Sequence, residues 1–191
     1  MIIPFNCNSV KVTSKYSMRS LDGSTSFHHG YDMVGIGSTD IIAVEGGIVT
    51  QSRIVTDKNN LTWQWGNYVC IKTDSGQYHY YCHMSSRAVS KGQRVSKGTK
   101  LGVMGSTGYS FGAHLHFEVR LADGRTSVSP ETVLDIPNKV GTYTLPASSL
   151  ASDLKILQQH GITSTPAYWE QNAHRLKYLP ELIHNVAEVL K

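Results

Sequence analysis

From Val10 to about Val140 the chain alternates short apolar runs with glycine-rich breaks: IIAVEGGIVTQSRIV, NYVCIKTDSGQYHYYCHM, GQRVSKGTKLGVMG and HLHFEVRLADGR. Runs of this length, rich in β-branched and aromatic residues and bounded by turn signals, predict antiparallel hairpins. The expected fold is mainly β, an antiparallel sandwich or twisted sheet. Glycine is dense in the same region and supplies the positive-φ turns and close strand approaches that such a sheet needs. The texture changes after VGTYTLPASS. Leu150, Leu154 and Leu157 recur at helical spacing behind serines able to cap, and Gly161 is placed to end that helix. Thr165 and Pro166 then open a second helical pattern, which Pro180 restarts or kinks. The organisation predicted is a β domain over residues 1–141 and a small α-helical appendage over residues 142–191, packed through Trp169, Leu176, Leu179 and Ile183.

Inside this pattern three clusters break the apolar rule. Along HLHFEVR, alternation puts His114, His116 and Glu118 on one strand face and Leu115, Phe117 and Val119 on the other. The polar face is either solvent or a site. In FHHGYD, His28 and Asp32 are separated by Gly30, which lets the backbone turn so that both side chains converge. With one further imidazole, that pair offers two nitrogens and a carboxylate oxygen to a borderline-soft cation and leaves a fourth place for water; zinc is the natural occupant. In YHYYCHMS, His83 ends a strand that carries Tyr81 and His79 on the same face.

Composition narrows the partners. The chain has 191 residues, 40% of them hydrophobic, enough for a proper core. Net charge is +4, from 18 basic and 14 acidic residues spread along the sequence, so no nucleic-acid stripe is expected. The opening MIIPFNCNSVKV lacks a basic n-region and a cleavage site, and no apolar run is long enough to span a bilayer; neither a signal peptide nor membrane insertion is expected. Cys7, Cys70 and Cys82 lack zinc-knuckle spacing and read as small buried hydrophobes. A bond between Cys70 and Cys82 across the TDSGQ hairpin is the alternative. GSTGYSFG reads as a turn delivering the H-x-H strand and not as a phosphate loop.

The ordered set FHHGYD, YCHMS and VSKGQRVSKGTKLGVMGSTGYSFGAHLHFEVR resembles the lysostaphin-type zinc metallopeptidases, peptidoglycan endopeptidases whose pattern runs H-x-x-x-D, a strand-end histidine, then G-x-H-x-H. The resemblance covers roughly Val10 to Leu134, and no motif position is substituted. It implies one Zn2+ per chain held by His28, Asp32 and His116. It also implies that His83 and His114 handle protons, His114 mainly as base and His83 mainly as stabiliser of developing negative charge. Glu118 stands where it can orient a ligand histidine through the free ring N–H. Tyr109, Phe111, Trp63 and Trp65 are candidates for the walls of a substrate groove, the two tryptophans sharing one face of a strand. His29 reads as a surface residue, His79 as structural, and His160, His174 and His184 as helix-surface residues.

The implied activity is zinc-dependent hydrolysis of peptide bonds in peptidoglycan stem peptides or cross-bridges, exerted at the bacterial cell wall. Without a leader, a phage or prophage lysin, or a tail- or secretion-associated hydrolase, is expected, released by lysis, phage delivery or a dedicated secretion route. The rivals are a non-enzymatic wall-binding or regulatory module on the same fold and a zinc peptidase acting on proteins. The C-terminal run resembles a short helical segment appended to some lytic proteins, for which wall binding, homo-oligomerisation and structural cladding are the expected roles.

Overall fold

The computed structural model describes residues 3–145, apart from 22, 61 and 135, together with residues 157–160, 183, 186 and 187. The chain divides into two units, Met1–Leu145 and Pro146–Lys191. The strands of the first are, in order, β1 (Ser9–Ser14), β2 (Ser17–Leu21), β3 (Ser24–His28), β4 (Tyr31–Ile36), β5 (Asp40–Ile42), β6 (Gly47–Ile54) and β7 (Asn67–Thr73). They continue with β8 (Tyr78–Cys82), β9 (Ser86–Arg87), β10 (Arg94–Val95), β11 (Lys100–Val103), β12 (Leu115–Arg120), β13 (Ser127–Val128) and β14 (Gly141–Thr144). One antiparallel sheet runs β10-β6-β7-β8-β12-β4-β1-β14, with β13 on the flank of β12. A second sheet runs β5-β11-β9, and β2 and β3 form a hairpin of their own. Because β14 pairs with β1 from Gly141 to Thr144, the large sheet extends a few residues past the expected boundary at residue 141.

The period-2 pattern of β12 does what it predicts on its apolar side. Leu115 lies opposite Met33, Phe117 opposite both Tyr31 and Tyr81, and Val119 opposite His79. These apolar residues have no exposed surface and share one core with Ile41, Ala43 and Leu101 around the smaller sheet. Burying each large side chain contributes about 1.5–3 kcal/mol, so the central strands carry much of the domain's stability. The opposite face of β12 is not solvent. His116 is 8% exposed and Glu118 1%, so the polar residues of the strand are enclosed as well.

Cys70 and Cys82 are free and buried beside Val55 and Tyr68, in keeping with the hydrophobic reading of these residues. In the C-terminal unit, Leu157–Gln159, Ile183, Val186 and Ala187 are helical and His160 is an exposed turn residue. Leu150, Leu154, Gly161, the run from Thr165 to Pro180, His174, His184 and the expected self-association surface lie outside the described residues. Among the described residues no helix is long and apolar enough to cross a membrane.

His79 is the polar member of the core. It is fully buried against Phe117, its Nδ1 has no partner, and its Nε2 lies 3.4 Å from Gln77 Oε1. Burial pushes its pKa down to about 4 from the ordinary 6.5. Between these values the unfolded chain takes a proton that the folded chain refuses, so stability is full above pH 6.5 and is lost as pH falls toward 4. His79→Leu is expected to remove about 2–3 kcal/mol of the loss between pH 7 and pH 4.5, read from urea unfolding in chelator. An equal loss in both proteins would contradict the assignment.

Candidate metal centre

Strand register assembles the centre. His116 of β12 lies opposite Asp32 of β4, and paired residues project from the same side of an antiparallel sheet. Asp32 in turn lies opposite Ser14 of β1. His28 is the last residue of β3, and Gly30 passes the chain from there into β4. The glycine is required by crowding more than by turn geometry: a Cβ on Gly30 would stand 2.4 Å from the Phe117 carbonyl oxygen and 2.9 Å from the His116 ring.

The result is a triangle of donor atoms. His28 Nε2, His116 Nδ1 and Asp32 Oδ1 lie 3.0 Å from one another. The other ring nitrogens fix the tautomers. The Nδ1–H of His28 donates to the Lys15 carbonyl oxygen at 2.8 Å, leaving a lone pair on Nε2. His116 Nε2 faces Glu118 Oε2 at 3.8 Å, leaving the Nδ1 lone pair turned to the triangle. Glu118 is held in turn by the Arg120 Nε–H at 2.7 Å, and the Arg120 guanidinium sits 5.2 Å from the Trp65 ring centre and 4.9 Å from that of Tyr80.

Three lone pairs this close repel unless a positive charge lies among them, and the electrostatics of the site show the demand. Burial pushes the His116 pKa down, but Asp32 and Glu118 outweigh it and raise the value to about 9. Burial likewise opposes ionisation of Asp32, while the proton that His116 and His28 supply to the triangle when no ion is bound holds its carboxyl far below the ordinary range. For Glu118, burial is again overcome by His116 and then by Arg120, and its pKa is lowered. His28 is shifted down, chiefly by burial. Two nitrogens and one oxygen at this spacing suit a tetrahedral ion with bonds of about 2.0–2.1 Å. His28, Asp32 and His116 thus form a group that can hold a metal ion.

His83 and His114 face the same spot. His114 Nε2 is 3.6 Å from Asp32 Oδ1, and the ring centres of His83 and His114 are 4.6 Å apart. Both donate Nδ1–H to a backbone carbonyl at 2.8 Å, His83 to Thr107 and His114 to Gly112. Burial, with His116 and His114 adding to it, pushes the His83 pKa down to about 3, so this imidazole is neutral at physiological pH.

Sequence periodicity misplaces His83. β8 ends at Cys82, and His83 has φ of 63°, a left-handed backbone rare outside glycine. Continued alternation would have sent it to the core with Tyr81; the reversal turns it to the polar side. The clamp is visible in the backbone, with His83 N donating to Trp65 O and Met84 N to Asn67 O, each at 2.9 Å. Trp63 and Trp65 are also corrected. They lie on a one-turn 3-10 helix, Trp63–Trp65, and not on a strand. Asn60 Oδ1 accepts from Thr62 N at 3.0 Å and starts the tight turn, and Gly66 leaves it with φ of 60°. At about three residues per turn the two indoles diverge. Trp63 meets Tyr109, whereas Trp65 meets Tyr68, Tyr80 and Arg120. Tyr109 and Phe111 pack edge to face on the loop before β12, with Phe111 69% exposed. His29 is exposed and bonds to Ser127 Oγ.

One contact had no signal in the sequence reading. Arg19 Nη1 lies 2.7 Å from Asp32 Oδ2. Its strand, β2, contains no recognisable motif, and only the register of the β2–β3 hairpin shows that Arg19 shares a face with His28.

Comparison with known proteins agrees with this geometry. The profile of peptidase family M23 matches residues 26–130. A peptidoglycan DD-endopeptidase of Vibrio cholerae, ShyC, is 33% identical over 111 residues, covering 56% of this chain and 24% of that protein. The match thus spans about a quarter of the relative's length. The catalytic domain of the prophage-encoded M23 protein EnpA from Enterococcus faecalis superposes with a TM-score of 0.51 at 31% identity, over 69% of this chain and 92% of that domain. The catalytic domain of lysostaphin, an antimicrobial peptidase from Staphylococcus simulans, gives a TM-score of 0.53 at 26% identity, over 66% and 91% of the two chains. With its mainly antiparallel β architecture and its paired histidine clusters, the chain belongs to peptidase family M23.

Proposed function

We propose that the protein is a zinc endopeptidase that hydrolyses peptide bonds in peptidoglycan, acting at the bacterial cell wall. The observation that carries this reading is the convergence of His28, Asp32 and His116 into one donor triangle with two further imidazoles, His83 and His114, at its side. In this reading one Zn2+ per chain is held by the triangle, with Glu118 orienting His116. When bound, the ion supplies a Lewis acid for the scissile carbonyl and lowers the pKa of a coordinated water from about 15.7 toward about 7.

The remaining chemistry belongs to the two free imidazoles. Each is anchored through Nδ1–H to a carbonyl, so each presents an Nε2 lone pair to the centre. A histidine in this state accepts a proton first and donates only afterwards. His114, with Nε2 nearest to Asp32, takes the proton of the attacking water and returns it to the leaving amine. His83 serves negative charge on the carbonyl oxygen only once it is protonated, which its burial opposes. It is therefore assigned to accept a hydrogen bond from the attacking water and hold it toward His114, a shift from the donor role that the family resemblance implies. Tyr109, Phe111 and Trp63 line one wall beside His114, and Trp65 supports the Arg120–Glu118 pair.

The DD-endopeptidase named among the relatives favours a cross-link between stem peptides as the target, and the prophage-encoded relative favours a phage-borne hydrolase. The intact pair His83 and His114 counts against a purely wall-binding module. Chelator-sensitive release of peptides from purified sacculi, identified by mass spectrometry, tests the reading. Untouched sacculi together with cleavage of a free peptide would replace it with a peptidase acting on proteins.

Within this scheme His114→Ala is expected to lower cleavage by about 10²–10⁴-fold while zinc remains bound. His116→Ala is expected to lose the metal; full occupancy measured by elemental analysis would overturn the ligand assignment. Glu118→Gln keeps the shape but removes the charge opposite His116 and Arg120. It is expected to weaken zinc binding by about 10–100-fold in competition with a chromophoric chelator.

A further inference from the structure

The two oxygens of Asp32 have different partners. Oδ1 faces His28 and His116 at 3.0 Å, whereas Oδ2 receives the Arg19 guanidinium at 2.7 Å. Arg19 arrives from β2. The hairpin register sets Ser17 opposite His28 and Arg19 opposite Ser26, so Arg19 lies diagonal to His28 on the same hairpin face. The same Nη1 also donates to Ser14 Oγ at 3.0 Å, and Ser14 is the β1 residue opposite Asp32. β2 lies just before residues 26–130, the segment that matches the family profile.

The contact is held at a cost. The Nε–H of Arg19 is buried without a partner, a loss of about 1–3 kcal/mol that the side chain would avoid by swinging into solvent. The side chain is 29% exposed, so there is room at the surface for it to do so. What opposes that movement is the charge-assisted bond to Oδ2, made to a carboxylate whose side chain is 12% exposed.

The geometry points to Arg19 as a positioning residue that confines Asp32 to one-oxygen ligation of the metal. With Oδ2 occupied by the guanidinium, only Oδ1 is available to the ion, and the coordination place that a second oxygen would fill stays open for water or substrate. The guanidinium also balances the carboxylate charge, leaving the ion's own charge less attenuated. A simple tether between hairpin and sheet would hold β2 in place without affecting how Asp32 binds metal.

This inference rests on the metal-centre reading above, and Co2+ loading separates the two. Wild-type protein that takes up no Co2+ or Zn2+ overturns both. In loaded wild type the visible spectrum is expected to be the intense four-coordinate type. In Arg19→Met, shown to be folded by circular dichroism, it is expected to weaken severalfold toward the five-coordinate pattern as Asp32 gains its second oxygen. Identical spectra would leave the metal centre standing and overturn the role of Arg19. A crystal structure of Zn2+-loaded wild type gives the second measurement, independent of whether the variant folds. Arg19 Nη1 on Oδ2 and Oδ1 alone on the ion is the expected result; Asp32 chelating through both oxygens, or Arg19 turned outward, overturns the proposal.

Discussion

The pairing of His116 with Asp32 across β12 and β4 is the constraint on which the site depends. It sets two donors on one side of the sheet, and the third, His28, arrives from the adjoining hairpin. A slip of β12 by one residue would send His116 into the core and bring Phe117 or Leu115 opposite Asp32. The apolar side forbids the slip. Leu115, Phe117 and Val119 are packed on Tyr31, Met33, Tyr81 and His79, each pair in register with the next. The free energy that holds three lone pairs together is therefore hydrophobic, supplied on the face of the strand that does no chemistry. That arrangement explains why β12 is buried on both sides while carrying charge: one side is core, and the other is enclosed by its own ion pairs and aromatic rings.

What the sequence could convey follows from which of these forces is local. Strand alternation is local, and it made His116 and Glu118 legible as a shared face and Leu115, Phe117 and Val119 as core. The H-x-x-x-D spacing made His28 and Asp32 a pair, although the reason for Gly30 turned out to be the nearness of the Phe117 carbonyl. His83 could be chosen as a candidate but not aimed, because its direction comes from a left-handed φ imposed by hydrogen bonds to Trp65 and Asn67, residues far off in the chain. The i, i+2 spacing of Trp63 and Trp65 fits a strand face. The Asn60 side chain accepting from Thr62 N before them and Gly66 after them decide otherwise. Arg19 was invisible for a further reason: a lone arginine in a polar hairpin has meaning only once the register of that hairpin is known.

The four histidines of the site share one chemistry and are separated by what holds the far nitrogen of each ring. His28, His83 and His114 rest on backbone carbonyls, which fix a tautomer without adding formal charge. The far nitrogen of His116 rests toward a carboxylate, Glu118, while the ring also faces Asp32, and the two carboxylates drive its pKa up. The chain Arg120–Glu118–His116 thus makes one ring electron-rich at the nitrogen that faces the triangle, which suits a metal ligand. The carbonyl-anchored His83, kept neutral by burial, keeps a lone pair on Nε2 instead. The difference among the four rings is therefore written less in the histidines themselves than in the partners behind them. Those partners fall on two kinds of support. His116 and Glu118 stand within β12, where register fixes them, whereas the carbonyls of Thr107 and Gly112 belong to the loop that also carries Tyr109 and Phe111.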